Sequence, residues 1–201
     1  CVVNNDYWAS QRGLIARDVD RYRTQENLPA RYFFAIARFI EFKNLPGLIR
    51  AYALYHTEAG SDPFGLVLCG SGPLERELRS LVGELGLEGV VRFPGFVQID
   101  RLPIFYSLAS CFVFPSSHFE PWGLVANEAM ASSLPVLISQ QCGCSEDLVK
   151  PGENGFTFDP ADVENLAQLM LNVAALNPDQ LIDMGKVSEA IVADHSCQIA
   201  A

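Results

Sequence analysis

The sequence predicts an α/β domain, a doubly wound parallel six-stranded sheet of Rossmann-like type. Three observations lead there. Six short apolar runs recur along the chain, and segments with helical spacing of apolar residues separate them. The runs are continuous rather than alternating, as in the Tyr-Phe-Phe-Ala-Ile-Ala of residues 32–37, which suits strands covered on both faces. Finally, an apolar run at 111–114, a polar loop, a helix-prone segment at 124–131 and a second run at 135–138 form a βαβ unit.

Taken in order, residues 1–30 are polar and irregular, with Asn4-Asn5-Asp6 reading as a turn and a short helix from Ile15 to Gln25. The first strand is expected from Arg31 to Ala37, and Arg38 and Lys43 stand directly after it. The helix over 44–58 places Leu45, Leu48, Ile49, Tyr52 and Tyr55 on one stripe. A second strand, Phe64 to Cys69, ends in Gly70-Ser71-Gly72-Pro73, and Pro73 fits a first helical position. That helix carries Leu74, Leu78, Leu81, Val82 and Leu85 as far as Gly86. Val90 to Phe93 is a short strand, Pro94-Gly95-Phe96-Val97 a turn, and Leu102 to Leu108 an amphipathic segment. Beyond the βαβ unit, Pro151 to Gly155 reads as a turn and Gly155 to Phe158 as the sixth strand. Helices over 161–174 and 178–194 close the chain.

With 201 residues, 49% of them apolar and 19% charged, the chain can bury a sizeable core as one large domain or two small ones. No run approaches the roughly 18 apolar residues of a membrane span. A net charge of −10 argues against nucleic acid as the main partner, since a phosphate backbone needs a basic footprint. A small nucleotide needs only one or two local cations. The six cysteines, at positions 1, 69, 111, 142, 144 and 197, lack metal-site spacing; all read as reduced thiols in a reducing compartment. There is no Asp-x-Asp and no histidine cluster, so no metal is expected.

The chemistry concentrates in the loop and helix of the βαβ unit. Open α/β sheets place ligands at the carboxyl ends of their strands, where this loop lies. Backbone N–H groups at Gly123, Leu124 and Val125 open a helix, lack intrahelical acceptors and sit in its positive dipole end. Glycine at 123 lets an anion approach the backbone. Glu120 and Glu128 flank that helix start and can accept hydrogen bonds from sugar or ribose hydroxyls. Arg38 and Lys43, after a strand and before a helix, are placed to clamp a diphosphate, although spacing alone favours solvated loop cations. Gly-x-Gly at 70–72 is a weak phosphate-loop signal and as often a tight turn. His118 has no visible acid or nucleophile partner and reads as a loop histidine.

Two glutamates separated by seven residues within Glu-Pro-Trp-Gly-Leu-Val-Ala-Asn-Glu-Ala-Met-Ala (120–131) resemble the signature of the retaining glycosyltransferases of family four, or group 1. The similarity extends to Ala-Arg-Phe-Ile-Glu-Phe-Lys-Asn at 37–44, covers 31 to about 175 well, and departs at Ala37 and Ser133, where the family has glycine. It implies that the chain is one half of a GT-B fold, a pair of Rossmann-like domains around a cleft. Residues 1–30 would be the interdomain leader, because the segment 3–8 is similar to the entry into the second domain. Residues 31–201 would bind a UDP-, GDP- or ADP-sugar, and the acceptor-binding first domain would lie outside this chain. The implied roles are diphosphate stabilisation for Arg38 and Lys43, donor-sugar contact for Glu120 and ribose contact for Glu128. Gly72, Val97, Gly123, Leu124 and Val125 would complete the donor site, with no cofactor or metal. The expected activity is hexosyl transfer in polysaccharide or glycolipid synthesis, in the cytoplasm or at the cytoplasmic face of a membrane reached through the absent part, and slight or none in this piece alone. A sugar-nucleotide-binding module without catalysis, or a sugar-nucleotide epimerase on the same fold, are the alternatives.

Overall fold

The computed structural model describes residues 3–193. The Cys1 and Cys197 thiols and the helix end at Asp194 lie outside the described residues. Strands β1 (Tyr32–Ile36), β2 (Gly65–Cys69), β3 (Val91–Gly95), β4 (Cys111–Phe114), β5 (Val136–Ser139) and β6 (Gly155–Phe158) form one sheet. Its order is β3-β2-β1-β4-β5-β6, and every pairing is parallel. This is the doubly wound arrangement expected.

The strands are apolar throughout because both faces are covered. One core gathers Tyr32 and Phe34 of β1, Phe112 and Phe114 of β4, and Trp8. On this side pack helices α1 (Asn5–Ile15), α5 (Leu102–Leu108) and α6 (Leu124–Ala131). The other core takes the alternate residues Phe33 and Ala35 of β1 and Leu66 and Leu68 of β2. There helix α3 (Leu45–Glu58) packs on α8 (Val163–Ala174), with α4 (Glu75–Glu84) beside it. Tyr52 and Tyr55 are fully buried, and both hydroxyls bond the backbone of Phe64. Short α7 (Ser145–Leu148) and the long α9 (Pro178–Ala193) complete the helices among the described residues, together with α2 (Val19–Gln25).

Three local expectations need correction. Asn4-Asn5-Asp6 is a helix start rather than a turn, because the Asn4 side chain accepts from the Tyr7 N–H at 3.1 Å and caps α1. Trp8 and Ile15 then anchor that helix in the core, and the helix expected from Ile15 shrinks to α2. Pro73 lies in a turn ahead of α4, since the Leu74 N–H is held by the Phe39 carbonyl at 3.1 Å and delays the helix to Glu75. Pro94 and Gly95 extend β3 rather than ending it, which proline permits on an edge strand.

The cysteines at 69, 111, 142 and 144 are buried and free, and burial raises all four thiols, Cys144 to about 12. Such thiols behave as small core residues. No helix of the described residues is long and apolar enough to cross a membrane.

The loops leaving β1 and β2 interlock through glycine. Gly70 has φ +133, and a Cβ there would stand 1.8 Å from the Ala37 carbonyl oxygen. Gly89 has open space around its missing Cβ. Gly70→Ala should therefore lower folding stability by about 1–3 kcal/mol, whereas Gly89→Ala should change it by less than about 0.5 kcal/mol; denaturant titration of both variants measures the contrast.

Candidate functional site

Strands β1 and β4 are neighbours, and the loops that follow them diverge. Between those loops opens a cleft of about 420 Å³ lined by Arg38, Lys43, Phe114, Glu120 and the segment Pro121 to Val125. A second hollow of about 560 Å³ adjoins it, lined by Gly70, Ser71, Gly72, Phe96 and Val97. Ile36, Ala37, Arg38 and Val125 line both. Volumes of this order suit a small-molecule ligand.

The cations arrive from the β1 side. After Ile36 the chain turns through Arg38 into a single 3-10 turn at Glu41–Lys43, which Asn44 closes with φ +47. Asparagine tolerates that left-handed backbone, and its side-chain amide donates to the Pro160 carbonyl at 2.9 Å. The turn is also tied to the neighbouring loop: the Phe42 carbonyl accepts from the Ser117 N–H at 2.9 Å and the Ser116 hydroxyl at 3.2 Å. Lys43 is thereby held against Glu120, whose carboxylate it contacts directly, with its ammonium 5.5 Å from the Phe114 ring centroid. Both side chains are mostly buried, at 20% and 27% exposure, so solvent screens this pair less than a surface one.

The acids come from the β4 side. Glu120 is fixed at its backbone, donating its N–H to the Gln141 carbonyl at 3.0 Å and accepting from the Gly143 N–H at 2.8 Å. Behind it, the Trp122 indole donates to the buried Asn127 amide oxygen at 2.7 Å, which folds the loop over the first turn of α6. Gly123 has φ +92, and a Cβ on it would lie 2.3 Å from the Phe114 ring. Only glycine fits, so the open N–H groups of α6 face the cleft across a bare backbone. Glu128, one helical turn further on, accepts from the Tyr106 hydroxyl at 2.9 Å. Burial raises its pKa and the Tyr106 hydrogen bond opposes that rise. The Tyr106 hydroxyl, fully buried and beside this carboxylate, is pushed well above its ordinary value.

The structure thus brings Arg38, Lys43, Glu120, Gly123, Leu124 and Val125 to one cleft, and sets Gly72 and Val97 in the adjoining hollow. Glu128 lines neither of these spaces and stands on α6 behind them. Gly72 has a structural reason of its own, because a Cβ there would lie 2.5 Å from the Phe39 carbonyl oxygen. His118 packs on the Phe42 ring at 4.5 Å and faces Ser117, with no acid partner shown. Sequence reasoning missed Tyr106, Phe114, Ser116 and Asn127. Tyr106 and Phe114 lie in ordinary apolar runs, and nothing in their spacing marks them as supports of the site. Among the described residues no group of three metal-ligating side chains comes together.

Known proteins resemble this chain in sequence and in fold. The family model described as glycosyl transferases group 1 matches residues 16–186. A lipopolysaccharide core biosynthesis glycosyltransferase of Rhizobium meliloti is 33% identical over 159 residues, 79% of this chain and 44% of that protein. The sucrose-phosphate synthase of Thermosynechococcus elongatus superposes with a TM-score of 0.80 at 30% identity, covering 100% of this chain and 48% of that one. Anabaena HepE in complex with UDP-glucose gives 0.77 at 25% identity, covering 92% of this chain and 50% of that one. The chain spans half or less of the length of each of these proteins. Its fold, its paired glutamates and the match over residues 16–186 lead to one conclusion: the chain belongs to the group 1 glycosyltransferases.

Proposed function

We propose that this chain is the donor-binding half of a retaining glycosyltransferase that moves a hexosyl group from a nucleotide-sugar to an acceptor hydroxyl. The observation that carries the reading is the meeting of Arg38, Lys43, Glu120 and the start of α6 in one cleft. When the bond between the anomeric carbon and the diphosphate oxygen breaks, negative charge grows on the nucleotide and the sugar becomes oxocarbenium-like. Lys43, held by Glu120, the exposed Arg38 and a helix N-terminus beside that charge would stabilise the departing diphosphate. Such donors are typically worth about 2.7–4 kcal/mol each. On this reading no metal takes part.

Glu120 holds the donor sugar rather than attacking it. Its contact with Lys43 fixes both side chains in the cleft before a donor arrives. Preorganisation of this kind reduces the side-chain ordering that binding would otherwise require. Glu128, which lines neither hollow, is assigned the ribose hydroxyls from its place in the 120–131 string, and the hollow around Gly72, Phe96 and Val97 is assigned the base. UDP-sugars are the first donors to test, because HepE is seen with UDP-glucose; GDP- and ADP-sugars follow. Acceptor binding, and with it full turnover, belongs to a first domain beyond residues 1–30, and this piece alone is expected to turn over slowly or not at all.

Calorimetric titration of the chain with UDP, GDP and ADP should show binding of at least one. Lys43→Ala should weaken that binding by at least about tenfold, the loss of a charge-assisted hydrogen bond. Wild-type affinity in the variant would overturn the placement of the diphosphate.

Glu128 adds a pH signature. Its folded pKa lies above its unfolded value, so the folded state binds the extra proton and stability falls as pH rises through that window. A neutral amide accepts the Tyr106 hydrogen bond without the cost of burying a charge. Glu128→Gln should therefore melt at a higher temperature than wild type at pH 7. That advantage should shrink as pH falls toward the ordinary carboxylate range. The same variant should bind nucleotide more weakly. Thermal unfolding across pH 4–8, with a parallel nucleotide titration, measures both effects.

A further inference from the structure

At the opposite ends of the strands lies a cavity that the donor site does not use. It opens where β1, β4 and β5 begin, beside Arg31, Ser110 and Pro135, and has a volume of about 670 Å³. The five-residue β1 separates it from the nucleotide cleft by roughly 16 Å, at about 3.3 Å per residue. Four cations line it, Arg12, Arg23, Arg31 and Lys186, and no acid does. The chain has only 14 lysines and arginines against 24 acids, so this grouping runs against its overall charge.

The cations have partial partners outside the lining. Arg12 pairs with Glu189 at 2.9 Å, Arg31 with Asp62, and Lys186 with the exposed Asp183 at 2.8 Å. Arg23 donates to the Ala30 carbonyl at 3.2 Å and stands 4.0 Å from the fully exposed Asp20. Its Nε is buried without a partner, as are the hydroxyls of Ser107 and Ser132. Ser132 is only 2% exposed. Among the described residues, three of the four buried side-chain polar atoms that lack a partner therefore belong to residues lining this one cavity. These three atoms are closed off from solvent and lie behind the cavity wall, so the other cationic nitrogens of the lining are what a ligand meets. The remaining wall is apolar, formed by Leu176, Pro178, Leu181 and Ile182 ahead of and within the first turns of α9, and Ile182 is 53% exposed at the rim.

We propose that this cavity binds a phosphomonoester with an apolar body. The guanidinium groups of Arg12, Arg23 and Arg31 and the Lys186 ammonium supply donors on several sides of a tetrahedral, multiply charged group, more than a single carboxylate would occupy. The α9 wall receives the organic part. The site is independent of the donor cleft and stands or falls apart from it.

The test is calorimetric titration of the chain with phenyl phosphate, inorganic phosphate and dihexanoyl phosphatidic acid. Phenyl phosphate should bind more tightly than inorganic phosphate, and the phosphatidic acid arm separates a lipid headgroup from a soluble ester. Arg23→Gln and Arg12→Gln should each weaken binding about tenfold, while Lys43→Ala leaves it unchanged. Circular dichroism checks that each variant is folded, and Arg12→Gln decides the matter if Arg23→Gln is not. No binding of phenyl phosphate at millimolar concentration overturns the proposal. So does binding that survives the cavity substitutions or disappears with Lys43→Ala.

Discussion

The architecture of the main cleft depends on one constraint: β1 and β4 lie side by side, yet the chain leaves them in different directions. From β1 it passes through Arg38 and Lys43 to α3 and the β2 side of the sheet. From β4 it passes through Glu120 to α6 and the β5 side. A crevice must open where the winding reverses, and backbone N–H groups at helix starts face into it. The Lys43 contact with Glu120 then ties the two departing loops together across the gap. Two hydrogen bonds from the β4 loop to the Phe42 carbonyl support that tie from behind. The opposing charges are therefore set by topology first and by side-chain chemistry second.

Glycine makes the close approaches possible. At Gly123 a helix start passes over the Phe114 ring, and at Gly70 one strand exit crosses another. Phe114 serves twice, since the same ring lies beneath the Lys43 ammonium. An aromatic face attracts a cation, so the residue that demands glycine on one side also helps hold the lysine on the other.

The sheet, the order of its elements and the residues of the main cleft were legible in the sequence for a physical reason. Buried parallel strands leave continuous apolar runs, and helix starts beside paired acids leave a local string such as 120–131. The first thirty residues were less legible, because Asn and Asp both make turns and cap helices. The Asn4 cap needs a partner to favour the helix, and the burial of Trp8 supplies it by packing on Tyr106 of α5, far along the chain. Tyr106 was invisible for the same reason. Its hydroxyl reaches Glu128 only after α5 and α6 have docked. The residues of the cavity beneath the strands are scattered from Arg12 to Lys186, and no local spacing could have gathered them.

Ser133 holds a left-handed backbone, φ +60, that a side chain rarely adopts, just after α6 ends. Its hydroxyl bonds Glu189 of α9, and a Cβ on Gly185 of α9 would lie 2.1 Å from the Ser133 carbonyl oxygen. The short helix is thus moored at its far end to the last helix of the described chain. Between that mooring and the cleft lie only the eight residues of α6, whose first backbone amides open onto the cleft. The position of the cleft's helix is therefore shared with α9, which lines no part of that cleft.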